Sequence, residues 1–450
     1  MRTAGHTPPP MRPHPVAPGA GGIGDRRRRL CGGTHRALLA AALLTTGLIT
    51  TAPTQAQPAP PLPAADPFYR YEGPLDSTPP GTVLRSRPAV FAAPGLSTPI
   101  NSTQVLYRTT DQQNAPTTTV TTVLRPPVPG PPRLVSYHMA YDALGSQCDP
   151  SYTLTGQGDR GIARVEQAVI AGYLAVGYTV VVPDYEGPDL EWTVGREAGY
   201  AALDGIRAAH RILELPDSTP VGMVGYSGGS VPTEWAAELA PAYAPELALV
   251  GAAAGGLPVD LAHNLPYVSG SARWAGVIPA LVVAYHRAYD LPVGSFLSER
   301  GAQVVDAVDE LCIAEFAGDY PGLTDADMVR APYDSLLAVP EVAAAVDDNI
   351  MGTAGTPGIP LLLGVGQVDP TGDTLMVTGD VEGLAHQYCE RGVAVTYARY
   401  DGRDHGAAFA PFEAQAAQFL TDRFAGVPPS SDCGSVGPGN PLAPAPVSAG

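Results

Sequence analysis

The chain has 450 residues, of which 45% are hydrophobic, and its 26 basic and 44 acidic side chains give a formal net charge of −18. This length and hydrophobic content are enough for a large folded core. The acidic balance argues against nucleic acid and anionic membranes as partners, whereas neutral lipids and small esters are compatible with it.

The N-terminus has the composition of an export signal. Consecutive arginines, Arg26–Arg29, precede an apolar stretch, Ala37–Ile49, and the small residues Thr54 and Ala56 suit a cleavage site. The apolar stretch is shorter than the roughly 20 residues that a membrane-spanning helix needs. We therefore predict a signal peptide at residues 1–56, of the general or the twin-arginine type, and a secreted protein without a stable membrane span.

Four cysteines remain after the predicted signal peptide: Cys148, Cys312, Cys389 and Cys433. An even number of cysteines in an exported protein predicts two disulfides, with three pairings open at this point. The sequence has no CxxC pair and no HxxxH pair, the spacings that are typical of metal sites. We expect no metal and no cofactor.

The start of the mature chain, residues 57–85, is rich in proline, and we expect it to form an extended arm. Further along, β-branched or apolar segments alternate with segments of helical periodicity. The predicted strands are Gln104–Thr110, Thr117–Leu124, Leu134–His138, Thr179–Val182, Val221–Val224, Leu247–Ala253, Pro360–Val365 and Val393–Tyr400. The predicted helices are Ala163–Ala175, Gly195–Leu215, Val231–Leu239, Asp380–Arg391 and Pro411–Phe424. This alternation is typical of an α/β fold with a mostly parallel central sheet and helices on both faces.

A mostly helical segment, residues 260–349, interrupts the alternation. It contains an apolar stretch, Trp274–Tyr289, and an amphipathic stretch, Ala302–Phe316, which we predict to be helices. We interpret the segment as a helical cap or lid inserted into the core. The remaining parts are then a core in two pieces, residues 86–259 and 350–435, and a disordered tail, residues 436–450.

A GxSxG sequence, Gly225-Tyr226-Ser227-Gly228-Gly229, stands between a predicted strand and a predicted helix. A nucleophile elbow requires this strand–turn–helix setting, because the sharp turn exposes the serine hydroxyl. The turn needs small residues two positions before and after the serine, and Gly225 and Gly229 meet that need. The N-terminus of the following helix offers amides to a developing oxyanion. We therefore predict Ser227 as the nucleophile.

A serine nucleophile of this kind needs an acid and a histidine, which follow it in the chain in that order. His405 follows the last predicted strand and precedes the last helix, so we predict it as the general base. Asp369 is the first carboxylate after the strand Pro360–Val365, and we predict it as the acid that orients the histidine. Asp373 is the alternative, and capping of the loop is another role open to either aspartate.

Four segments carry a family resemblance: Ser136-Tyr137-His138, Cys148-Asp149-Pro150-Ser151-Tyr152, Val182-Pro183-Asp184-Tyr185-Glu186-Gly187 and the elbow Gly225–Gly229. They are similar to the SYQ, C-x-PSY, PDYEG and GYSGG motifs of the secretory lipase family. His138 departs from the glutamine of the first motif. The resemblance covers about residues 66–435 and implies an α/β-hydrolase fold with an inserted lid.

The resemblance also implies roles for single residues. It implies a catalytic triad formed by Ser227, Asp369 and His405. It also implies an oxyanion hole formed by the backbone amides of Asp142 and Gly228. It further implies the disulfides Cys148–Cys312 and Cys389–Cys433, the first of which would tie the cap to the core.

These observations predict a secreted serine hydrolase that cleaves carboxylic esters, first of all a triacylglycerol lipase. The alternatives are a short-chain or aromatic carboxylesterase, a serine peptidase and a non-catalytic binding protein, because a fold does not fix a function. The expected partner is a lipid or a small ester. The sequence does not indicate an oligomeric state.

Overall fold

The computed structural model describes residues 60–93, 96–128, 130–158 and 161–444. The predicted signal peptide, residues 1–56, lies outside the described residues. Within them, no helix is both long enough and apolar enough to cross a membrane.

A central sheet organises the chain from its first strand to its last. Its strands are β1 (Val83–Ala93), β2 (Leu96–Thr110), β3 (Pro116–Leu124), β4 (Leu134–His138), β5 (Thr179–Pro183), β6 (Val221–Tyr226), β7 (Leu249–Gly255), β8 (Leu361–Gln367) and β9 (Val395–Asp401). They lie in the order β1-β2-β3-β5-β4-β6-β7-β8-β9. The first three neighbouring pairs in this order, β1·β2, β2·β3 and β3·β5, are antiparallel. The remaining five pairs are parallel. The predicted mostly parallel sheet is confirmed.

Helices follow most of the parallel strands. They are α1 (Pro150–Thr153), α2 (Ile162–Ala175), α3 (Gly195–Ile212), α4 (Ser230–Tyr243), α5 (Leu261–Val268), α6 (Val277–Tyr289), α7 (Val293–Phe296), α8 (Glu299–Val308), α9 (Ile313–Phe316), α10 (Asp325–Met328), α11 (Pro340–Asp347), α12 (Thr378–Glu390) and α13 (His405–Phe424). Short 3₁₀ turns lie at Pro63–Ala65, Pro67–Tyr69, Ser146–Cys148, Ser227–Gly229 and Leu336–Ala338.

Both faces of the sheet are covered by apolar side chains of these helices. On one face α3, α4 and α12 contribute buried residues such as Ile206, Trp235 and Leu384. On the other face α2 and α13 contribute residues such as Ile170 and Phe412. Burial on both sides explains why the parallel strands are continuous apolar runs in the sequence.

The segment between β7 and β8 holds helices α5 to α11, where the sequence predicts a helical cap. The single helix predicted over Ala302–Phe316 is wrong, because α8 and α9 are separate. Cys312 has extended backbone between them, pairs with Ala143 and forms a disulfide with Cys148. These contacts with the core hold the chain out of helical geometry at that point.

The proline-rich arm ends earlier than the sequence predicts, because β1 begins at Val83 and pairs with most of β2, from Leu96 to Tyr107. Apolar patterning misses β1 because it is an edge strand that carries Arg85, Arg87 and Pro88. Charged residues and proline are common on edge strands, where they discourage pairing with other chains.

Both implied disulfides are present. Cys148–Cys312 joins the turn after β4 to the start of α9, with 5.9 Å between the Cα atoms. Cys389–Cys433 joins α12 to the segment after α13, with 5.4 Å between the Cα atoms. The tail that begins at residue 436 is not disordered throughout. Asn440 Nδ2 donates to Asp380 at 2.7 Å, and the Asn440 amide donates to the Gly379 carbonyl at 2.8 Å.

Candidate active site

Ser227 stands at the sharp turn between β6 and α4. Its φ is +54°, in the left-handed region that non-glycine residues rarely adopt. A Cβ atom on Gly225 would lie 2.0 Å from the carbonyl oxygen of Gly229, and one on Gly229 would lie 2.0 Å from the carbonyl oxygen of His138. The turn therefore has no room for a side chain at either glycine.

A continuous chain of hydrogen bonds runs from Ser227 to a buried aspartate. His405 Nε2 is 2.7 Å from Ser227 Oγ, and His405 Nδ1 is 3.0 Å from Asp373 Oδ2. Asp373 is fully buried, and its Oδ1 accepts the amides of Leu375 and Met376 at 3.0 and 2.7 Å. These bonds fix the carboxylate, which in turn fixes the imidazole ring.

His405 is the first residue of α13 rather than a loop residue, so the last helix begins six residues earlier than predicted. Asp404 caps this helix by accepting the amide of Ala407 at 2.8 Å. The backbone of His405 is held as well, because its amide donates to the Asp373 carbonyl at 2.8 Å.

Asp369, the predicted acid, does not contact His405, and its place is taken by the alternative, Asp373. Asp369 Oδ1 accepts the amides of Thr371 and Gly372 at 2.7 and 2.9 Å, and its Oδ2 accepts the Tyr267 hydroxyl at 2.9 Å. The carboxylate of Asp369 thus closes the first turn of the loop after β8. This turn is the reason that the chain reaches the imidazole with Asp373 instead.

Asp142 and Gly228 lie side by side next to the serine. A Cβ atom on Gly228 would be 1.8 Å from Asp142 Oδ1, and both residues line the cavity at Ser227. Asp142 has a φ of +43°, and its Oδ1 accepts the Trp192 indole N–H at 2.6 Å. Burial raises the pKa of Asp142 to about 6, although the Trp192 hydrogen bond opposes this shift.

His138, which departs from the family motif, is connected to the turn at Ser227 through Thr233. It is fully buried, with Nδ1 2.6 Å from Thr233 Oγ1 and Nε2 2.9 Å from Ser136 Oγ. Thr233 donates its hydroxyl hydrogen to the Gly229 carbonyl at 2.8 Å, so it accepts from the imidazole. Burial lowers the pKa of His138 to about 3, which keeps the ring neutral. The sequence feature that points to this role is the position of His138 at the end of β4, a strand whose residues are all buried.

The connection between α5 and α6 covers the histidine, which the sequence did not indicate. The Trp274 ring stands edge-on to His405 at a centroid distance of 5.8 Å, and its N–H donates to Thr374 Oγ1 at 3.1 Å. Arg273 pairs with Asp404 at 3.0 Å. These contacts join the covering segment to the loop and the helix that hold the imidazole.

An apolar cavity opens in front of Ser227. Its hydrocarbon walls come from the loop after β7, from α5, α6 and α9 and from the loop before α12: Pro258, Leu261, Leu265, Val268, Val277, Leu281, Ile313, Leu375 and Met376. Within the described part of the chain, no cluster of His, Cys, Asp or Glu is suited to a metal ion. The absence of a metal and of a cofactor stays a prediction.

The elbow and the hydrogen-bonded serine, histidine and aspartate, on a mostly parallel sheet, define the α/β-hydrolase class. The model of the secretory lipase family matches residues 160–432, and the chain belongs to this family. A structure of Candida antarctica lipase A in its closed state is similar, with a TM-score of 0.75 and 28% identity over 86% of this chain and 91% of that chain.

Two relatives of similar identity carry names that differ on activity. A protein named a probable inactive lipase, from Mycobacterium tuberculosis, is 37% identical over 82% of this chain and 83% of its own. A protein named lipase A, from Arthroderma benhamiae, is 33% identical over 84% of this chain and 83% of its own. Family membership alone therefore does not establish turnover, and the geometry at Ser227 has to carry that argument.

Proposed function

We propose that this protein is an ester hydrolase that acts outside the cell, with Ser227 as its nucleophile. The unbroken hydrogen-bond chain Ser227–His405–Asp373 carries the proposal, because each member has the partner that acyl transfer requires. The family and the two disulfides support an extracellular site of action.

In this mechanism Asp373 accepts the Nδ1–H of His405, which leaves the Nε2 lone pair facing the serine hydroxyl. His405 removes the proton as Ser227 Oγ attacks the ester carbonyl. The backbone amides of Gly228 and Asp142 donate to the developing oxyanion. The imidazolium then gives its proton to the leaving alcohol, and a water molecule, activated by the same histidine, releases the acid.

The walls of the cavity favour an ester with an apolar acyl group. Its hydrocarbon lining and the net negative charge of the chain are compatible with a neutral lipid, and we propose triacylglycerol as the first substrate to test. The second candidate is a short-chain carboxylesterase. One observation supports this second candidate. Helices α5 and α6 and the side chain of Met376 close around the cavity, so a long acyl chain enters only if the cap moves.

The test is hydrolysis of p-nitrophenyl esters from acetate to palmitate, together with labelling by a fluorophosphonate. We expect turnover and labelling in the wild type and in a control variant, Ser435→Ala, at an exposed site. Ser227→Ala should lose both by at least about 10³-fold while keeping its circular dichroism spectrum. Unchanged turnover in Ser227→Ala would contradict the proposal. A maximum at long chains supports a lipase, and one at short chains supports the carboxylesterase.

A further inference from the structure

Asn264, on α5, lines the cavity in front of Ser227 and is only 6% exposed. Its Nδ2 donates to the carbonyl oxygen of Leu375 at 2.7 Å and lies 3.7 Å from the sulfur of Met376. A carbonyl oxygen can only accept, so this bond fixes which end of the amide faces Leu375. The other end, Oδ1, has no hydrogen-bond partner among the described residues.

The other polar side chains of this wall are already paired. Asp142 accepts from the Trp192 indole, the Thr193 hydroxyl donates to the Trp192 carbonyl, and Ser227 is bonded to His405. The rest of the wall is hydrocarbon or glycine. Among the described residues that line this cavity, Asn264 Oδ1 is the fully buried side-chain atom without a hydrogen-bond partner.

A buried acceptor without a donor is unfavourable. The described residues contain several buried side-chain atoms without a partner, and Asn264 Oδ1 is the one that belongs to the wall of the cavity at Ser227. The Nδ2 bond to Leu375 explains why a donor stands at this position, since it steadies the segment whose amides hold Asp373. It does not explain the unpaired oxygen. An unsubstituted acyl chain has no hydrogen to donate to Oδ1, whereas a hydroxyl group on the substrate does.

We propose that Asn264 is a specificity-determining residue that accepts a hydrogen bond from a hydroxyl group of the bound ester. The substrate class is then an ester with an apolar skeleton and a hydroxyl on the part that enters the cavity. This inference rests on the ester hydrolysis proposed above and narrows its substrate.

The first test compares esters of equal shape in which a methyl group replaces the hydroxyl. Methyl 3-hydroxybutanoate is paired with methyl 3-methylbutanoate, and methyl 5-hydroxyhexanoate with methyl 5-methylhexanoate. A third pair, 3-hydroxybutyl and 3-methylbutyl butanoate, places the hydroxyl in the alcohol part instead. We expect kcat/KM to favour the hydroxylated member of at least one pair by about 10-fold, the factor that one ordinary hydrogen bond provides.

The variant Asn264→Leu keeps the approximate volume and removes the acceptor. We expect the ratio within the responsive pair to fall to about one, even if the loss of the Leu375 contact lowers both rates together. A matched control, Leu261→Ile, alters the same wall without adding an acceptor, and its ratio should stay near the wild-type value. A merely structural Asn264 would lower both rates and leave the ratio unchanged.

Binding provides a readout that needs no turnover. The same pairs are titrated into Ser227→Ala and into Ser227→Ala/Asn264→Leu by calorimetry, and we expect an approximately 10-fold preference in Kd only in the first. A ratio near one for every pair in both assays overturns the inference. A water molecule that stays bound to Oδ1 in every complex would give that result. A preference in binding without turnover of any ester by the wild type would instead refute the proposed hydrolysis.

Discussion

Replacing Asp373 by asparagine should disable the enzyme without unfolding it. In the variant, the amide oxygen keeps the position of Oδ1 and still accepts from Leu375 and Met376, at the 3.0 and 2.7 Å seen for the carboxylate. The amide nitrogen then faces His405 Nδ1, where Oδ2 stands at 3.0 Å. A nitrogen donor there selects the tautomer with its proton on Nε2, which has no lone pair to receive the Ser227 proton.

The wrong tautomer and the lost charge together correspond to a decrease in kcat of about 10⁴-fold, or about 5 kcal/mol of transition-state stabilisation. KM should change little, because Asp373 is buried behind the histidine and does not line the cavity. The assay is steady-state hydrolysis of p-nitrophenyl butyrate, with thermal unfolding as the check on folding.

Asp369→Asn is the matched control, since Asp369 lies four residues earlier in the same loop. Its contacts are with Thr371, Gly372 and Tyr267, not with the histidine, so kcat should stay within about 3-fold of the wild type. The reasoning is refuted if Asp369→Asn loses activity by 10³-fold or more while Asp373→Asn remains active.

Three further results are expected. Burial raises the pKa of Asp184 to about 7 and that of Glu413 to about 8, and it lowers the pKa of His138 to about 3. The two carboxyl groups outweigh the histidine, so the folded state binds more protons than the unfolded one between pH 5 and 8, and the free energy of unfolding should fall across this range. Urea titrations measure this free energy, and a rise with pH would contradict the expectation. The double variant Cys389→Ser/Cys433→Ser removes a cross-link that spans 44 residues and should lower the free energy of unfolding by about 2–4 kcal/mol. Ser227 should still react with the fluorophosphonate. Equal urea midpoints for the variant and the wild type would contradict this expectation. Gly229→Ala should destabilise the fold by about 2–3 kcal/mol and reduce fluorophosphonate labelling of Ser227, because the new Cβ atom would clash with the carbonyl oxygen of His138. Wild-type stability in this variant would show that the elbow relaxes to make room.

Apolar patterning predicted the central strands well because they are buried on both faces. The strand predicted at Leu134–His138 is β4 with the same ends, and β5, β6 and β8 each lie within two residues of their predicted bounds. Ser227 and His405 could be picked out because each follows a strand that apolar patterning predicts, although the sequence placed the start of α13 six residues too late.

The acid could not be assigned in this way, because both aspartates follow the same strand. The choice depends on a turn closed by the side chain of Asp369, which contacts decide and spacing does not. The edge strand β1 was missed for a different reason, since its two arginines and its proline hide the apolar alternation. The unpaired oxygen of Asn264 depends on contacts between α5 and the loop before α12, which lie 111 residues apart in the chain.

The bond between Cys148 and Cys312 has a mechanical consequence for the catalytic centre. The segment around Cys312 also donates the Ile313 amide to the Asp142 carbonyl at 3.1 Å and accepts the Leu144 amide at Leu311 at 2.9 Å. This part of the insertion therefore braces the loop at Asp142 and cannot move away from it while the disulfide is intact. An insertion exchanged for one from another protein would have to carry the brace with it, or the loop at Asp142, which we propose to donate to the oxyanion, would lose its support.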